Sequence, residues 1–83
     1  MEELKLNRVY RHYKGDEYLV LDVAKHSETG EELVVYRALY GEGRLWARPL
    51  AMFFDELEEE KVSKYGQRRR FQLVERGSVK GED

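Results

Sequence analysis

The chain has no cysteine and one proline. The first absence excludes disulfides and thiolate metal sites, and it fits a reducing compartment. The longest apolar runs are about five residues, against the ~20 needed to span a bilayer. The opening MEELKL has no apolar h-region, so no signal peptide is expected. These features together predict a cytoplasmic chain with no membrane partner. Hydroxyl nucleophiles are scarce: Ser27 lies in HSET, and there is no GxSxG elbow. The GEG at 41–43 lacks the phosphate-cradling GxxxxGK[ST] pattern. No cofactor is expected. With a formal net charge of −2, the chain has no global basic field, which makes nucleic acid a less favoured partner.

What is present is dense charge, at 39% of 83 residues, beside 41% hydrophobic residues. That balance is too apolar for disorder and the length suits one domain. We expect a single β domain over 1–76 and a polar, disordered tail over 77–83. The stretch from Glu31 to Pro49, EELVVYRALYGEGRLWARP, organises the rest. It contains a β-favouring run, a Gly41-Glu42-Gly43 turn of hairpin length, and the antiparallel partner Arg44 to Arg48. On the central strand, period two sends Leu33, Val35, Arg37 and Leu39 to one side. Val34, Tyr36, Ala38 and Tyr40 go to the other.

Further strands are expected at Arg8 to Tyr13, Glu17 to Lys25 and Gln67 to Glu75. Met1 to Asn7 reads as a frayed end or another short strand. Glu17 to Lys25 is apolar on both faces, which predicts a curve or bulge. Pro49 stops the hairpin's second strand and starts a helical turn over Leu50 to Asp55. The run Glu56 to Glu60, with four glutamates in five residues, reads as a solvated face or loop. The fold class is mostly β: a small SH3-like antiparallel β-barrel of five or six strands with one short helical turn near 50–55. Closure is expected because it removes exposed sheet edges.

The segments Tyr10-Arg11-His12-Tyr13-Lys14-Gly15, Tyr18, Val20-Leu21, His26-Ser27-Glu28-Thr29, Val34 to Gly41, Leu45-Trp46, Arg48-Pro49 and Met52-Phe53 form one pattern. It resembles the small bacterial family called domain of unknown function 1653, from about Arg8 to Phe54. Arg70-Phe71 fits that family's closing segment, whereas Glu58 to Lys64 departs from it. The resemblance implies a compact bacterial domain and no activity.

The first functional reading is a noncatalytic binding module for an unknown ligand or peptide, as monomer or homodimer. Its candidate surface is Tyr36, Arg37, Tyr40, Trp46, Arg48 and His12, where rings and arginines crowd adjacent strands. Ordinary core packing competes for the rings. Cross-strand ion pairs with Glu17, Asp22 or Glu28 compete for Arg37 and Arg48. A small metal-binding protein or enzyme using His12, His26 and Glu28 is the alternative, if those residues converge. A nucleic-acid-binding SH3-like domain using Arg68-Arg69-Arg70 is another, although strand alternation would split that run.

Overall fold

The structure, a computed structural model, describes residues 3–75. The expected tail over 77–83 lies outside the described residues. Chain order is β1 (Arg8–His12), β2 (Glu17–Lys25), β3 (Glu32–Ala38), β4 (Leu45–Pro49), α1 (Leu50–Phe53), α2 (Glu59–Tyr65) and β5 (Phe71–Leu73). All five strands form one antiparallel sheet in the order β4-β3-β2-β1-β5. Residues 3–7 form no strand. Among the described residues, no helix is long and apolar enough to cross a membrane.

The expected β2 irregularity is a bulge: pairing with β3 steps from Val20↔Tyr36 to Asp22↔Val35. The unpaired Leu21 lets a strand that is apolar on both sides bend around its partner. The resulting curl is strong. Tyr36 on β3 and Phe71 on β5 would stand three strand spacings apart, ~14 Å, in a flat sheet. Their ring centroids are 5.5 Å apart. The core fills this hollow with Tyr10, Val20, Val34, Tyr36, Phe53 and Phe71. Phe53 of α1 stacks on Phe71 at 4.3 Å and meets Tyr10 and Tyr36 edge-on.

The curl does not become closure, which corrects the barrel expectation. β4 and β5 are the sheet's two outer strands and do not pair with each other. β5 keeps only three residues in strand conformation, where the sequence pattern spread from Gln67 to Glu75. β4 ends at Pro49, which has no N–H to extend a ladder, and passes directly into α1.

The acidic run conceals a helix. α2 has Glu59 and Glu60 in its first turn, Lys64 in its last, and no buried residue. Charges in that order favour the helix dipole, so a solvated face and a helix are compatible here. Gly66 closes α2 at φ 70°, its N–H donating to the Val62 carbonyl at 2.8 Å. A Cβ there meets no neighbour, so the cost of a side chain is purely conformational. Gly66→Ala should lower unfolding stability by about 1 kcal/mol, read as a shift in the urea midpoint with unchanged slope. An unshifted midpoint would mean that this cap contributes nothing.

Candidate functional site

Alternation along the strands decides which side chains reach the hollow of the sheet. On β3, Val34, Tyr36 and Ala38 are buried, while Arg37 is exposed. Trp46 on β4 stands directly across from Tyr36, and Arg48 across from Val34. On β1, His12 pairs with Phe71 of β5. The concave face therefore collects His12, Tyr18, Tyr36, Trp46, Arg48 and Phe71, and Tyr40 joins them just beyond β3.

The six residues expected from sequence divide into three groups. Tyr36 is only 5% exposed and forms the floor, edge-on to Tyr18, Phe53 and Phe71. Arg37 takes the opposite face, and its Nη1 donates to the Gly43 carbonyl at 2.7 Å. It fastens the hairpin and makes no ion pair with Glu17, Asp22 or Glu28. The reason is local: the connection over 39–44 loops back and brings that carbonyl within reach, aided by positive φ at Gly41 and Gly43. The remaining four, His12, Tyr40, Trp46 and Arg48, rim the hollow.

The rim has two characters. At the hairpin end it is aromatic. Trp46 and Tyr40 are 46% and 44% exposed and line a shallow hollow of about 200 Å³ with Ala38, Gly41, Glu42 and Arg44. The Tyr40 hydroxyl lies 2.8 Å from that of Tyr18, whose ring meets Phe71 at 5.7 Å. Burial, then the Tyr40 hydroxyl, push the Tyr18 phenol far above its ordinary value. Tyr18 is thus a hydrogen-bonding group and not a phenolate base.

On the other side the rim is cationic. The Arg48 guanidinium carbon sits 5.8 Å from the centre of the Phe71 ring. Its Nε is buried and meets no acceptor, and Arg48 makes no ion pair among the described residues. Arg70, just before β5, also has a buried Nε without an acceptor. Its Nη2 lies 3.7 Å from Oδ2 of Asp55. His12, which feels the charge of both, stacks on Tyr13 at 4.4 Å and meets Phe71 edge-on at 5.0 Å.

His12 Nδ1 accepts from the Lys14 backbone N–H at 3.2 Å, which places the neutral ring's proton on Nε2. Burial first, then the charges of Arg70, Arg48 and Lys14, lower the His12 pKa from its ordinary value, opposed by Asp16. The unfolded chain consequently takes up the proton first as pH falls through the imidazole range, and stability declines there.

The three metal-site candidates do not gather among the described residues. His26 is at the far end of β2 from His12, roughly 30 Å of strand away. Its Nδ1 accepts from the backbone N–H groups of Glu28 and Thr29, so its role is to shape the loop. Among the described residues, no three His, Asp or Glu side chains gather to hold a metal. The Arg68 to Arg70 run is divided, although not by strand alternation, since β5 begins only at Phe71. Arg69 reaches Glu56 at 3.8 Å and the Phe54 carbonyl at 3.1 Å, Arg70 faces Asp55, and Arg68 is exposed.

The sequence profile of the family described as Protein of unknown function (DUF1653) matches residues 8–73. The chain belongs to this DUF1653 family. A DUF1653 protein from Bordetella bronchiseptica, solved by crystallography, is 36% identical, with a TM-score of 0.72 and 99% of each chain covered. No curated protein matches the chain. The DUF1653 match takes in both halves of the rim, from His12 to Phe71.

Two rim members escaped the sequence reading. Tyr18 is legible as one of many strand rings but not as a site residue, because its link to Tyr40 depends on the path of the hairpin. Arg70 was read as part of a cationic run. Its proximity to Phe71 in sequence was the available signal, since a side chain just before a buried ring at a strand start lies at the edge of the core.

Proposed function

We propose that this DUF1653 domain is a noncatalytic binding module whose recognition surface is the mouth of the curled sheet. Trp46, Tyr40 and Tyr18 form the aromatic side, and His12 and Arg48 the cationic side. The observation that carries the reading is Arg48: a half-buried guanidinium beside exposed rings, with no carboxylate partner among the described residues. Such a group normally acquires a partner, and a ligand would supply one. Tyrosine and tryptophan suit the same role because each joins an apolar ring to a polar tip. Catalysis has less support. Among the described residues no hydroxyl nucleophile bonds His12, and the Tyr18 phenol is held protonated.

The single tryptophan makes the test direct. Mononucleotides, sugar phosphates, carboxylic acids and short peptides can be screened by Trp46 fluorescence and thermal shift. Any ligand found should lose about tenfold or more in affinity in Trp46→Ala and Arg48→Ala, with the amide NMR spectrum otherwise preserved. Ligands that bind both variants as tightly as the parent would remove this surface as the site.

A further inference from the structure

The cationic side of the rim has a geometry that goes beyond general recognition. Arg48 comes from β4, Arg70 from the segment before β5, and His12 from the end of β1. β4 and β5 are the two edges of the sheet and β1 lies beside β5, yet the charges of both arginines act on His12, because the sheet curls. Phe71 is common to the set: it underlies the Arg48 guanidinium, abuts His12 and follows Arg70. Ring packing thus holds the side chains in place without their charges being fully satisfied. Asp55 faces Arg70 at 3.7 Å, a separation longer than a strong charge-assisted hydrogen bond. Among the described residues, nothing charged faces Arg48 to the same degree.

We propose that Arg48, Arg70 and the Nε2–H of His12 form a seat for one oxyanion, a carboxylate or phosphate, on a small ligand whose flat apolar part lies against Trp46 and Tyr40. This deepens the binding reading above and rests on it. Guanidinium groups are suited to the task because their planar forks match the oxygen pairs of both anions. A polyanion is a poorer occupant, since the chain is net acidic.

The seat couples to a proton. The groups facing His12 are the Arg48 and Arg70 guanidiniums, the Lys14 ammonium, the Asp16 carboxylate and the rings of Tyr13 and Phe71. Of these, only His12 changes charge near neutral pH. Burial first, and then the arginine charges, disfavour the imidazolium; an anion between the arginines offsets the second cause, so binding draws a proton onto His12. Affinity must therefore rise as pH falls through the imidazole range.

The test uses the whole chain with phenyl phosphate, benzoate and phenol as probes, followed by NMR of the His12 imidazole and of the backbone amides. Phenyl phosphate or benzoate should bind saturably and shift His12, and the tighter of the two identifies the anion. Arg48→Gln should weaken that binding about tenfold or more, and Arg48→Lys should recover part of it. Inorganic sulfate keeps its charge throughout this range, so its affinity isolates the protein's own titration. It should bind several-fold tighter at about pH 5.5 than at about pH 7.5, and His12→Gln should abolish the difference. Absence of saturable binding by either anion, or equal affinity in Arg48→Gln, overturns the seat. If phenol binds as well as the anions and depends on Trp46 alone, the seat fails while the aromatic surface stands.

Discussion

Phe71→Ala is expected to remove about 4 kcal/mol of unfolding stability. For a chain of this size total stability is only about 4–12 kcal/mol, so the variant should be marginal at room temperature. The size of the effect follows from position. Phe71 is 1% exposed and lies in the shortest strand, yet its ring meets Phe53, Tyr36, Tyr18 and His12. Those partners come from α1, β3, β2 and β1. Truncation leaves a cavity that no single element can fill by shifting, which is the costly end of the large-to-small range. Phe71→Leu keeps much of the volume and should cost less than half as much, about 1.5 kcal/mol. Urea unfolding followed by far-UV circular dichroism measures both. A loss under about 1 kcal/mol for the alanine variant would show that β5 does not seal the core, and the curled sheet would lose its organising contact.

How far the sequence led can be judged residue by residue. The hairpin was legible because Gly41 and Gly43 sit between two β-favouring runs and only one pairing puts Tyr36 opposite Trp46. The β2 bulge was legible because nine residues with apolar side chains on both faces cannot lie flat against one core. Closure was not legible. It depends on whether the two outer strands meet, and the length of β5 is set by tertiary packing around Phe71. α2 was hidden for a different reason: a helix with no buried residue has no hydrophobic period to read, leaving only charge order and Gly66 as clues.

The site shows the same division. Trp46 and Arg48 lie two residues apart on β4, across from Tyr36 and Val34, and so share one face. The approach of Arg48 and His12 to one ring, Phe71, spans the sheet and depends on how far it curls, which the β2 bulge alone does not set. Arg37 was misjudged because a mid-strand arginine suggests a carboxylate across the ladder, whereas a carbonyl in the neighbouring turn satisfied it at 2.7 Å.

Gln67→Leu should cost about 2–3 kcal/mol, because it removes a buried donor from carbonyls that then lack a partner. Gln67 is 4% exposed. Its Nε2 donates to the carbonyls of Arg11 at 3.0 Å, Arg69 at 2.9 Å and Arg70 at 3.4 Å. Its Oε1 accepts from Arg11 Nε at 3.2 Å. One amide thus ties the segment entering β5 to β1, where three ladder residues alone are a weak hold. Leucine fits the volume but offers no hydrogen bond, so the penalty is desolvated carbonyl oxygen and not lost packing. Gln72→Leu is the control, since that glutamine is exposed on β5 itself and should change stability by no more than ~0.5 kcal/mol. Thermal unfolding should separate the two by roughly 10–20 °C. Hydrogen exchange adds location: the Tyr13 amide, bonded to the Arg70 carbonyl at 3.0 Å, should lose protection first. Equal midpoints for the two leucine variants would mean that the amide is not the tie. Arg70 would then owe its position beside His12 to Phe71 and Asp55 alone.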